Sequence, residues 1–212
     1  MGTLVNLSKV HMKKFAVIFA LSLFVFSCTS KGEKIEDYSN PQKALLVLDM
    51  QIDFVGENAK MPIEKNQVNR LIATINNIID EYSRAGYKII YIKNIFRKND
   101  IANFFRNKAA VEGTPGIEID PRIKIVSDIF FDKNQPDAFS NSDFEKYLIQ
   151  NKINELYICG VMADQCVYYT SMAALNRNYK VNYIINAVGS TNMNKIKKAA
   201  EKLNKKGINI IE

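Results

Sequence analysis

The stretch ICGVMADQCVYYTSMAALNRN, Ile158 to Asn178, decides the fold. An apolar run ends in Gly160, a short turn follows, and Cys166 opens a segment of helical character. Strand, turn and helix in that order make half of a βαβ unit. The same stretch sets a thiol at a helix N-terminus, where a thiolate is most easily made. A small buried residue would fit that position equally well, so the cysteine alone does not decide the chemistry.

Outward from this stretch the same alternation recurs. Lys43–Met50, KALLVLDM, is a continuous apolar run ending in an acid, and YKIIYIKN over Tyr87–Asn94 is a second. KIVSDIFFDK over Lys124–Lys133 reads as a third strand, INELYICG as the fourth, KVNYIINA as the fifth and INII as the last. Between them VNRLIATINNIIDEYSRAG and NMNKIKKAAEKLNKKG carry apolar residues at helical spacing and end in Gly86 and Gly207, as helix C-caps do. SDFEKYLIQNK is a shorter helix with a Ser/Asp start. Apolar strands alternating with amphipathic helices predict a parallel sheet covered on both faces. No internal repeat and no second domain is visible, so one domain is expected over residues 41–212. Its single long irregular segment, Asn94 to Asp120, is of the length that usually carries function or moves.

The 212-residue chain is 47% hydrophobic and 24% charged, an ordinary globular composition with a formal charge of +7. Three of the lysines, Lys9, Lys13 and Lys14, lie before residue 28 with no acid among them. No basic block with interleaved aromatics exists, so nucleic acid is not an expected partner. Met12-Lys13-Lys14, the apolar FAVIFALSLFVF and Ser27-Cys28 have the three regions of a secretory signal. The apolar run is short for a bilayer span, which needs about 20 residues. A cysteine directly after VFS resembles a bacterial lipobox, and so residues 1–27 are expected to be a lipoprotein-type signal and Cys28 the lipidated residue. Translation starting at Met12 would serve that signal as well as Met1. Residues 28–40 read as a flexible tether. The expected location is the bacterial envelope, membrane-bound through Cys28. The other cysteines are Cys159, inside the fourth strand, and Cys166; a strand-to-helix pair is poorly placed for a disulfide.

In an open parallel sheet, ligands bind beyond the carboxyl ends of the strands. Asp49 ends the first strand, Lys133 the third, and the fourth leads to Cys166. The only histidine is His11, ahead of the expected cleavage site. A mature chain without histidine excludes Cys–His and Ser–His–Asp engines and histidine-ligated zinc. If Cys166 is a nucleophile, its base is a carboxylate, and Asp49 is the available one. Lys133 beside them would favour the thiolate. The first free amides of the Cys166 helix could hold an oxyanion.

LLVLDMQIDFV (Leu45–Val55), DKNQPDAFSNSDF (Asp132–Phe144) and ICGVMADQCVYYTSMAA (Ile158–Ala174) together resemble the isochorismatase-like cysteine hydrolases, among them nicotinamidases and N-carbamoyl amidases. The resemblance implies a three-layer α/β/α sandwich with a parallel, Rossmann-like sheet. It implies a catalytic triad of Asp49, Lys133 and Cys166, and a cis Val161–Met162 peptide that turns the Met162 amide toward the oxyanion beside the Cys166 amide. Phe54 and Phe139 match pocket aromatics. The activity implied is cleavage of a C–N bond in a small amide or ureido compound through a cysteine thioester. The alternatives are a vinyl-ether hydrolase of isochorismatase type and a non-catalytic binding member. Members of the family often form dimers or tetramers, so a homo-oligomer is compatible with the resemblance.

Two departures qualify it. Nicotinamidases hold a metal on an aspartate and histidines after the second strand, where this chain reads Lys93-Asn94-Ile95-Phe96. No metal and no other cofactor is therefore expected, and nicotinamide is not the expected substrate. Asp137 stands where the family usually has serine. Phe104 and Phe105, upstream of the family-like turn EGTPGIEI, are candidate lid aromatics.

Overall fold

The computed structural model describes residues 32–212. The expected signal segment, Cys28 and His11 lie outside the described residues. Six strands form one sheet: β1 Gln42–Leu48, β2 Lys88–Asn94, β3 Phe130–Lys133, β4 Ile153–Val161, β5 Lys180–Gly189 and β6 Asn209–Ile211. All pair in parallel, in the spatial order β3-β2-β1-β4-β5-β6. The helices are α1 Ile52–Val55, α2 Lys65–Arg84, α3 Ser142–Gln150, α4 Cys166–Asn176 and α5 Met193–Asn204. The sheet is thus a doubly wound, Rossmann-like one. Its strand order reverses between β1 and β4, and the crevice at such a reversal is where ligands bind.

Burial on both faces explains the unbroken apolar strands. Alternate β1 residues serve opposite layers. Ala44, Leu46 and Leu48 pack with α3, α4 and α5 in one core cluster, and Leu45 and Val47 pack with α2 in the other. Leu71, Ile72, Ile75 and Ile79 form the buried stripe of α2. That stripe is the helical periodicity seen in the sequence, now facing the sheet.

β3 is shorter than its apolar run. Only Phe130–Lys133 pairs with β2, while residues 124–129 run along the sheet edge without strand geometry. Side chains hold that approach instead. Tyr91 Oη donates to Lys124 O and accepts from Val126 N, and Ser127 Oγ donates to Ile89 O. The expected tether has no regular structure over 32–40, but it touches the domain. Ile35 N donates to Arg177 O at 2.9 Å, and its side chain packs against the α3–α5 core.

Glu155 sits where β1, β4 and β5 begin. Its carboxylate meets Lys43 at 3.2 Å, Lys180 at 2.9 Å, Tyr157 Oη at 2.9 Å and Asn182 Nδ2 at 3.0 Å. Burial would raise its pKa, but the hydrogen bonds from Lys180, Tyr157 and Asn182 outweigh burial and hold it at about 2, against an ordinary 4.5. A depressed carboxylate contributes stability that is complete above its unfolded pKa and is lost as pH falls through the folded one. Glu155→Gln is therefore expected to lower unfolding free energy at pH 7 by about 1–3 kcal/mol. Urea denaturation should show that difference shrinking from about pH 4.5 toward pH 2.

Candidate active site

The carboxyl ends of β1, β3 and β4 converge on one spot. Asp49, one residue past β1, has a backbone φ of 55°, a left-handed conformation uncommon for non-glycine residues that Asn107, Lys108, Ala110, Lys152 and Asn178 also adopt. Its amide donates to Ile92 O at 2.9 Å, which fixes the turn. Lys133 ends β3. Its Nζ donates to Asp49 Oδ2 at 2.8 Å and to Cys166 Sγ at 3.2 Å. Gly160 makes the approach possible, because a Cβ there would meet Leu48 O at 2.0 Å, and its φ is +116°. After it the Val161–Met162 peptide is cis. Cys166 is the first residue of α4. Among the described residues, neither the Met162 amide nor the Cys166 amide has a backbone acceptor.

Lys133 favours the thiolate, as its charge implies, but other forces outweigh it. Burial, reinforced by the negative field of Asp49, pushes the Cys166 thiol up to about 12, and Lys133 only partly offsets this. The resting group is therefore a neutral thiol. Burial also raises Asp49 above the ordinary carboxylate range, against the opposing charge of Lys133. Burial would lower Lys133, but Asp49 and Cys166 together raise it. Among the described residues, Asp49 Oδ1 is buried without a hydrogen-bond partner. A carboxylate of raised basicity with one unpaired oxygen is suited to take a proton. Alkylation of Cys166 by iodoacetamide at pH 7 is expected to be slow and to rise with pH. Cys159 is fully buried, with Sγ 3.4 Å from Leu46 O, and is expected to stay unmodified in the folded protein. Peptide mapping of the alkylated protein measures both.

Beside the thiol lies a cavity of about 360 Å³, lined by Asp49, Phe54, Met61, Asn94, Phe96, Arg106, Asn134, Gln135, Pro136, Val161, Met162, Gln165 and Cys166. Phe54 is where the sequence placed it. Phe139 is not. It meets Phe144 edge-to-face and Tyr179 at a tilt, with the Arg177 guanidinium 4.5 Å over its ring, inside the α3–α5 core. The Asp137 carboxylate caps the 3-10 turn at Ala138–Ser140 by accepting from Phe139 N, and Asn134, Gln135 and Pro136, just before it, line the cavity. Phe104 and Phe105 do not line the cavity either. They are over 80% exposed and contact each other edge-to-face.

The sequence reading missed the residues that fasten the long loop. Gln51 Nε2 donates to Asn94 O and Ile117 O, and its Oε1 accepts from Asn94 N. Asp53 accepts from Ala110 N and leaves no room for a Cβ at Gly116. A polar residue pair inside the apolar LDMQIDF segment was the available signal. Arg106 was missed as well; it lies over the Phe96 ring at 3.8 Å and pairs with Asp100 at 2.7 Å.

The residues after β2 do not suit a metal. Asn94 and Phe96 line the wall there, and the charged neighbour is the cation Arg106. Among the described residues, no three His, Cys, Asp or Glu side chains gather as a ligand set.

Known proteins resemble this chain in sequence and in fold. The chain is 25% identical over 151 residues to YddQ, an uncharacterized isochorismatase family protein of Bacillus subtilis, across 71% of this chain and 79% of that protein. It is 23% identical over 216 residues to a nicotinamidase of Saccharomyces cerevisiae, across 80% of this chain and 99% of the enzyme. The solved structure of an isochorismatase-like hydrolase from Alkaliphilus metalliredigens superposes with a TM-score of 0.73 at 27% identity, over 80% of this chain and 94% of that one. The isochorismatase domain matches residues 43–212, from β1 to the last residue. That span takes in the whole sheet and every side chain of the cavity, and the chain belongs to the isochorismatase family.

Proposed function

We propose that the protein is a cysteine hydrolase that cleaves the C–N bond of a small amide or ureido compound through a thioester on Cys166. The observation that carries this reading is Lys133 Nζ bridging, at 2.8 and 3.2 Å, Asp49 and Cys166, which both line the cavity. Similarity to a nicotinamidase, named for acting on an amide, supports the bond type. As Sγ attacks the carbonyl carbon, Asp49 takes the thiol proton. The Met162 and Cys166 amides donate to the tetrahedral oxyanion. Asp49 then gives its proton to the departing nitrogen, and the C–N bond breaks. Water, deprotonated by the same carboxylate, attacks the thioester and frees the acid and the thiol.

The test is ammonia or amine release from a panel of small amides and ureido compounds, nicotinamide included, without added metal. Turnover of at least one member is expected, and none with Cys166 shown reduced contradicts the reading. Because Asp49 must be ionised to act and burial raises its pKa, kcat/KM is expected to fall about tenfold per pH unit on the acid side, below that raised value. A flat acid limb would exclude Asp49 as the base.

The proposal extends to location. The lipobox-like sequence at Cys28 supports a lipid anchor in the envelope. A palmitate analogue is expected to label the wild type and not Cys28→Ala; an unlabelled wild type contradicts the anchor.

A further inference from the structure

The cavity wall opposite ordinary amide chemistry carries a cation. Arg106 lies on the 94–120 loop, lines the cavity with Cys166, and rests its guanidinium over the Phe96 ring at 3.8 Å. Stacking of this kind holds the planar group in place and leaves its edge for hydrogen bonding. A guanidinium has five N–H donors. Among the described residues, the Arg106 side chain gives one hydrogen bond, from Nη1 to Asp100 Oδ2 at 2.7 Å.

The other polar groups around the cavity sharpen this. Lys133 is engaged by Asp49 and Cys166, so its charge is committed to the reaction centre. Asn94, 3% exposed, lines the same cavity, and among the described residues its Oδ1 has no hydrogen-bond partner. Phe54, Met61, Phe96, Val161 and Met162 make the remainder largely apolar. An unspent guanidinium edge and an unpaired carboxamide oxygen in such a cavity are groups that a ligand would satisfy.

We propose that Arg106 is the specificity residue of this site, and that the preferred substrate is an amide or ureido compound carrying a carboxylate, which Arg106 binds while Asn94 accepts an N–H. This deepens the hydrolase reading above and rests on the same cavity. Asp100 competes with the substrate carboxylate for the guanidinium, so it sets the strength of the preference. The Asp100 Oδ1 that caps Ala102 N is a separate oxygen from the one on Arg106.

The test is binding, measured by calorimetry on Cys166→Ala protein so that turnover is not required. The probes are the amide acids from oxamate through succinamate to adipamate, each against the neutral amide in which methyl replaces the carboxylate. At least one amide acid is expected to bind ten- to a hundredfold tighter than its neutral partner, the range of a charge-assisted hydrogen bond. Arg106→Gln should remove that preference, and Arg106→Lys should keep part of it. Asp100→Asn should increase it, because the competitor loses its charge and the Ala102 cap keeps its oxygen. If Arg106→Gln acted only by loosening the loop, Asp100→Asn would weaken the preference too, and that result overturns the proposal. So does equal binding of charged and neutral probes, or no binding of any amide acid. Anion preference without hydrolysis by the wild type would leave this inference standing and sink the hydrolase reading. Hydrolysis of neutral amides without anion preference would do the reverse.

Discussion

Cys166→Ala is expected to lower kcat/KM by at least about 10⁴-fold on any amide the wild type hydrolyses, with the fold intact. The size follows from the chemistry. Lys133 and Asp49 are paired with each other, which leaves Sγ as the nucleophile of the three, and among the described residues the other free thiol, Cys159, is fully buried. The fold should survive because α4 is held by Val167, Ala173 and Ala174 in the core rather than by the thiol. Thermal unfolding with steady-state kinetics separates the two effects. A variant that retains a tenth of the activity would show that water attacks the substrate directly, as in an ether hydrolase.

Lys133→Met is expected to destabilise the domain by about 3–5 kcal/mol, the range for breaking a buried ion pair from one side. Both side chains are nearly inaccessible, at 0% and 2%. Removing the ammonium leaves the Asp49 carboxylate buried without its counter-charge, which drives its already raised pKa further up and favours the protonated form. The variant therefore loses its base along with its stability. Asp49→Asn combined with Lys133→Met should recover most of the lost stability and none of the activity, because the uncompensated charge is gone while the proton acceptor is still missing. Chemical denaturation of the four proteins in this cycle measures the coupling. Additive losses would mean that the pair contributes nothing as a pair.

How far the sequence foretold this depends on what each residue answers to. Strand identity was legible because β1, β2, β4 and β5 are buried on both faces, and such burial writes itself as continuous apolar runs. Asp49, Lys133 and Cys166 were legible because a parallel sheet brings strand ends together, so a position along the chain became a position in space. β3 was overextended because an edge segment held by Tyr91 and Ser127 needs the same apolar residues as a strand. Phe139 was hard to place because its ring packs among Phe144, Tyr179 and Arg177, which meet only in the folded core. Arg106 was invisible for a related reason. Its partners Phe96 and Asp100 are close in sequence, but its place in the cavity depends on Gln51 and Asp53 fastening the loop to β1's end. The pull of Lys133 on the thiol was legible because a lysine is easy to see, and the burial that outweighs it was not.

The most direct measurement of the central claim is intact mass of the protein quenched in acid during turnover of the best amide in the panel, followed by peptide mapping. The account predicts a mass increase equal to the acyl group, carried by Cys166 and absent from Cys166→Ala. Turnover of the wild type at full rate with no acyl mass on Cys166, joined to undiminished turnover by Cys166→Ala, would contradict it.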